Sequence, residues 1–191
     1  DAGGLMLAAV EHDDPVIFLE HKLLSQPWLD MLGRAGRESV SFDVPSAGAR
    51  GPVPDAWDAL PLGQAITRRD GHDLTIVTVG VDVHRALEAA ERLEEQGISA
   101  GVLDLRTVSP LDTEAICQAV SETRAMLVVD EDYHSFGLSG ELAAVVLEAG
   151  IPARYARVCT ETTIPYARRL ERETLPNVER IIRAARELVE E

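Results

Sequence analysis

A three-layer α/β sandwich around a mainly parallel sheet is the fold this sequence predicts. Two patterns carry the expectation. Short apolar runs rich in β-branched residues alternate from residue 62 onward with stretches of helical spacing, and Gly or Pro punctuates the changes. Strand–helix alternation of this kind builds βαβ crossovers whose sheet is covered on both faces.

The elements follow in order. Leu5 to Glu11 reads as a helix, and Asp13-Asp14-Pro15 turns the chain into Val16-Ile17-Phe18-Leu19, a wholly apolar run expected to be a buried strand. Residues 27 to 60 read as a linker, with Gly, Pro, Ser and Arg dominating and a short helix at Trp28 to Leu32. Thr75 to Val79 is the next strand; Val83, Ala86, Leu87, Ala90 and Leu93 then recur at helical spacing until Gly97 stops the helix. A strand at Gly101 to Leu105 leads to Ser109-Pro110-Leu111-Asp112, where Ser109 can cap, Pro110 can occupy the first turn and Asp112 can face the dipole. Leu111, Ala115, Ile116, Ala119 and Val120 form the stripe of that helix. Met126 to Val129 is a third strand of the sheet, Leu142 to Leu147 a helical region, and Tyr155 to Val158 a fourth strand. A last helix starts near Asn177 and buries Val178, Ile181, Ile182, Ala185 and Leu188 on one face.

Composition narrows the function. The 191 residues include 33 acidic against 18 basic ones, for a formal charge of −15, which excludes sequence-independent nucleic-acid binding and disfavours anionic membranes. With 46% hydrophobic residues the chain can fill a core, and no apolar run approaches the ~20 residues of a membrane span. The expectation is a soluble, cytoplasmic chain. Its start at Asp1, running directly into apolar sequence, reads as a piece of something longer. A lone helix and strand at residues 1–26 cannot bury a core of their own and read as the tail of another domain.

Candidate chemistry lies where open α/β sheets place it, beyond the carboxyl ends of the strands. The turn Gly80-Val81-Asp82-Val83-His84 has one glycine and is no phosphate cradle. Arg106 and Thr107 follow the second strand as an interface or capping pair. The richest turn is Asp130-Glu131-Asp132-Tyr133-His134-Ser135-Phe136-Gly137, whose acids and histidine suit a divalent metal, acid/base work, a supporting role at a neighbouring subunit's site, or simply a polar cap for the helix near Ser139. No nucleophile elbow accompanies Ser135, so triad hydrolysis is set aside. Cys117 and Cys159 lack metal or redox spacing and read as small buried hydrophobes. His12 and His21 flank the first apolar run and carry little meaning alone.

Several stretches in succession resemble one family. They are residues 15–24 (PVIFLEHKLL), 61–65 (PLGQA), 75–80 (TIVTVG), 86–91 (ALEAAE), 104–112 (DLRTVSPLD) and 163–167 (TIPYA). Together they resemble the beta chain of the thiamine-diphosphate-dependent 2-oxoacid dehydrogenases, the group acting on pyruvate, branched-chain oxoacids and acetoin. The long D-L-R-T-x-S-P-L-D stretch is the most specific of them.

The resemblance implies a division into 1–26, the last helix and strand of a pyrimidine-binding domain; 27–60, a linker; and 61–191, a transketolase-type C-terminal domain. It implies oxidative decarboxylation with acyl transfer to lipoyl groups in the complete enzyme, with this part serving subunit assembly and acyltransferase docking. Thiamine diphosphate and magnesium would be held by the alpha chain and the earlier part of the beta chain, so the present residues would supply no catalytic or cofactor-binding group. It further implies an alpha subunit, a second beta subunit and a dihydrolipoyl acyltransferase as partners, and a structural monovalent cation, potassium, around Ala9, His12 and Asp14. Two alternatives stand beside this reading: the corresponding domain of a transketolase or deoxyxylulose-phosphate synthase, and a non-catalytic α/β interaction module.

Overall fold

The computed structural model describes residues 1–25 and 53–190, apart from the side chain at 168. Most of the expected linker, with its short helix at 28–32, lies outside the described residues.

Helix α1 (Ala2–Glu11) is followed by an extended stretch and a 3-10 turn at Lys22–Leu24. The sheet then assembles from β1 (Ile66–Arg69), β2 (Leu74–Thr78), β3 (Ala100–Asp104), β4 (Ala125–Tyr133) and β5 (Arg154–Thr160). Helices α2 (Asp82–Glu94), α3 (Thr113–Thr123), α4 (Leu138–Glu148), α5 (Arg168–Thr174) and α6 (Val178–Glu190) complete the order. The strand sequence across the sheet is β1-β3-β2-β4-β5, with β3, β2, β4 and β5 parallel and β1 antiparallel at the edge.

Period-two alternation sends successive side chains of each strand to opposite faces, and each face has its own core. Leu74 and Ile76 of β2 with Ala125, Leu127 and Val129 of β4 meet Ala86, Ala90 and Leu93 of α2 and Val178, Ile181, Ala185 and Leu188 of α6. On the other face, Val77, Leu103, Met126 and Val128 meet Ile116 and Val120 of α3 and Leu142 and Val146 of α4. The three-layer sandwich is therefore as the alternation of elements implies. The five apolar positions expected on the last helix are all buried.

Several local expectations give way. Val16 to Leu19 does not form a strand: the stretch is extended, and Ile17 and Leu19 are 87% and 82% exposed. A strand needs a neighbour for its backbone groups, and none of the described strands pairs with it. The helix after β3 is capped by Asp112, whose Oδ1 accepts the Ala115 N–H at 3.0 Å, while Ser109 lies outside it in a cis Ser109–Pro110 bond. Strand β4 runs on through Asp130, Glu131, Asp132 and Tyr133, so this region is not a free polar loop, and α4 begins after Gly137 without a side-chain cap. The edge strand β1 and helix α5 went unanticipated.

Helix α1 packs on the segment leading into the sheet. The Leu60 N–H bonds to Gly4 O at 3.0 Å, and a Cβ on Gly3 would meet the Trp57 ring. Only residues without a side chain allow this approach. Among the described residues no helix is long and apolar enough to cross a membrane.

Candidate functional site

Two polar constellations occupy the carboxyl ends of the parallel strands. The first grows from β2 and β4. Asp82 and Arg85 lie on the first turn of α2, directly after β2, and are 1% and 2% exposed. Arg85 Nη1 donates to Asp82 Oδ1 at 2.7 Å and to Glu131 Oε1 at 2.7 Å. The second carboxylate oxygen of Glu131 lies 2.7 Å from His21 Nε2. Because His21 Nδ1 accepts the Leu23 N–H at 3.2 Å, the ring proton sits on Nε2 and is donated to Glu131. The Glu131 backbone is fixed in turn, its carbonyl accepting from Thr160 Oγ1 at 2.7 Å.

The electrostatics follow from burial. Asp82, out of water, is pushed up to about 7, with Arg85 opposing the rise and Glu131 and Asp130 adding to it. Burial also acts to raise Glu131, but hydrogen bonds from His21 and Arg85 outweigh it and hold this carboxyl below its ordinary range. Asp130 is raised by burial; its Oδ1 accepts the Asp132 N–H at 3.1 Å and its Oδ2 is buried without a partner.

The second constellation is the stretch 104–112, and its polar side chains grip backbone. Asp104 Oδ2 accepts from Arg68 Nε and Nη2 at 3.0 and 2.7 Å. Arg106, at φ +56°, donates Nε–H to Gln64 O at 2.9 Å. Thr107 Oγ1 accepts the Gly63 N–H at 3.0 Å and donates to Pro110 O at 3.0 Å, and Asp112 Oδ2 accepts the Ala65 N–H at 2.8 Å. The motif thus clamps residues 63–65 and steers β1 onto the sheet edge. Arg68 also pairs with Asp1, so α1 is tied to the same clamp. Beside it, burial holds His84 below the ordinary histidine range against the pull of Asp104.

The residues singled out in the sequence are dispersed. Ala9 lies in the last turn of α1, and His12 and Asp14 follow the helix, where His12 Nδ1 accepts the Asp14 N–H at 3.1 Å. A cleft of about 420 Å³ opens there between Ala8, Glu11 and His12 on one side and Leu60, Leu62 and Pro110 on the other. The acids 130–132 do not converge: Asp130 is buried, Glu131 serves Arg85 and His21, and Asp132 accepts the Tyr133 N–H at 2.7 Å. Among the described residues no three His, Cys, Asp or Glu side chains are grouped to hold a metal. Cys159 is buried, as its reading requires, and Cys117 is half-buried. Sequence reasoning missed Arg85 and the partnership of His21. The available signal was a charged pair, Asp82 and Arg85, on the apolar stripe of a helix, which demands a third buried partner.

Thiamine diphosphate does not fit this end of the sheet. A diphosphate needs free N–H groups or cations, whereas the crevice presents three carboxylates and an arginine already shared between two of them.

Residues 63–181 match the family model for the transketolase C-terminal domain. The whole chain is 40% identical to 53% of the 2-oxoisovalerate dehydrogenase subunit beta of Bacillus subtilis. It is 35% identical, again over its full length, to 51% of the acetoin:2,6-dichlorophenolindophenol oxidoreductase subunit beta of the same organism. Among solved structures, a split-gene transketolase described as an inactive beta4 tetramer superposes with a TM-score of 0.64 and 25% identity, over 69% of this chain and 44% of that one. The chain spans about half the length of the curated relatives it matches.

Proposed function

The chain belongs to the transketolase C-terminal domain family, and from that premise we propose that it is the C-terminal half of the beta subunit of a thiamine-diphosphate-dependent 2-oxoacid or acetoin dehydrogenase. The observation that carries the reading is the clamp at 104–112. It holds the segment entering the sheet and, through Arg68 and Asp1, the helix that precedes it. These residues position a domain boundary; they do not form a reaction centre.

In this reading the chain takes part in oxidative decarboxylation, or acetoin cleavage, with acyl transfer to lipoyl groups. Its own contribution is to fix subunit geometry, which places reacting groups contributed from elsewhere. Partners are an alpha subunit, a second beta subunit and a dihydrolipoyl acyltransferase, and the compartment is the cytoplasm. Exposed Ile164 and Tyr166 and the uncovered Ile17 and Leu19 offer apolar surface for the subunit contacts.

A structural potassium ion belongs to the same proposal. The last carbonyls of α1, including Ala9, have no onward helical partner, and with His12 O and the exposed Asp14 carboxylate they supply the oxygen donors a hard cation takes.

The test is an assay of the complete alpha–beta enzyme containing these residues against pyruvate, 3-methyl-2-oxobutanoate and acetoin, with lipoyl acylation as the readout. Turnover of one of the three supports the assignment. Transketolase activity in its place would favour the alternative family branch.

A further inference from the structure

In a parallel sheet, the crevice that takes ligands opens where the strand order reverses. Here the chain passes from β2 to β3 on one side and returns to β4 on the other, so the reversal lies between β2 and β4. Asp82 and Arg85 follow the first of these strands, and Asp130 and Glu131 belong to the end of the second. The carboxyl ends of these two strands therefore carry the first constellation, and His21 bonds to it through Glu131.

We propose that this crevice is an internal socket, occupied by the chain's own turn at residues 21–25, with His21 as the plug and Asp82 and Arg85 as positioning residues that aim Glu131 at it. Charge selects the occupant. Two carboxylates share the Arg85 guanidinium, and Asp130 adds its charge at Asp82, so the site repels an anion and accepts a hydrogen-bond donor; the Nε2–H of His21 is that donor. Geometry makes the seat specific. Arg85 takes Glu131 Oε1 and leaves Oε2 turned to the imidazole, while Thr160 prevents the strand end from shifting. The plug is preformed as well, because its other ring nitrogen caps the 3-10 turn on the Leu23 N–H. His21 and Glu131 stand 110 residues apart, so the contact sets how the segment ending at Ser25 lies against the sheet.

Amide exchange in the intact chain tests it. The Leu24 and Ser25 N–H groups bond within the turn, to His21 O and Lys22 O, and report whether the turn is seated. Glu131→Gln keeps the ring's cap on Leu23 while it weakens the seat and, with it, the Arg85 pair. We expect it to speed exchange at Leu24 and Ser25 at least tenfold while Ile76 and Val77 in β2 stay protected. His21→Asn, a change at a half-exposed position that keeps a side-chain acceptor for the Leu23 N–H but is too short to reach Glu131, should do the same and supplies the answer if Glu131→Gln unfolds the sheet. Unchanged exchange at Leu24 and Ser25 in a folded variant would overturn the socket.

Discussion

Asp112 joins two segments that lie 47 residues apart at Ala65: its Oδ2 accepts the Ala65 N–H at 2.8 Å while its Oδ1 caps α3 at Ala115. One carboxylate thus starts a helix and sets an edge strand. Losing a helix cap costs ~1 kcal/mol, and a deprived part-buried amide costs about 1–3 kcal/mol more. Asp112→Ala should therefore lower stability by roughly 2–4 kcal/mol on these rules. It should also release β1, seen as faster exchange at the Ala65 amide. A chemical-denaturation midpoint equal to that of the unaltered chain would show that the clamp is idle.

Asp82 makes stability depend on pH in a definite direction. Its folded value, about 7, lies above the ordinary 3.8, so its stabilising contribution is full below pH 4 and is lost as pH rises through 7. Glu131, held below its ordinary value, acts oppositely and loses its contribution only in acid. Asp82→Asn removes the first effect alone. Relative to the unaltered chain, the variant should gain on the order of 2 kcal/mol between pH 5 and pH 8. Denaturation curves that stay parallel over that interval would refute the assignment.

Helix α6 covers one face of the sheet, and Ile181, fully buried, belongs to the core on that face. Truncation there leaves a cavity in the core that this helix shares with β2, β4 and α2. Ile181→Ala should cost about 2–5 kcal/mol, measured by urea denaturation. Val108, half-exposed and remote from that core, should tolerate the same change within ~0.5 kcal/mol.

The acidic surface bears on docking. If a basic subunit-binding domain of a dihydrolipoyl acyltransferase binds here, affinity should fall as salt rises past about 0.15 M, where the Debye length is ~8 Å, and most of the loss should be in the association rate. Calorimetry and stopped-flow across a salt series separate the two. Salt-independent binding would remove charge from the account.

Much of this architecture is legible in the sequence because both faces of the sheet are buried. Runs such as Thr75 to Val79 and Met126 to Val129 then read as continuous apolar strands, and the stripe from Val178 to Leu188 reads as a docked helix. What escapes is non-local. Ile66-Thr67-Arg68-Arg69 has little apolar character, and β1 exists because Asp104, Thr107 and Asp112 hold the chain beside β3. Val16 to Leu19 fails in the opposite sense: its apolar content suits a strand, but pairing is a property of a neighbour. The site follows the same rule. His21 and Glu131 carry ordinary local patterns, and only the crossover between β2 and β4 brings Arg85 to Glu131.

The proposed role of these residues is assembly and not cofactor binding. Isothermal titration of the 191-residue chain with thiamine diphosphate and magnesium tests it most directly. No saturable heat is expected, since the strand ends that could face a diphosphate carry carboxylates and are occupied by His21. Stoichiometric, submillimolar binding would contradict it and make the strand end at Asp130 to His134 the first place to look.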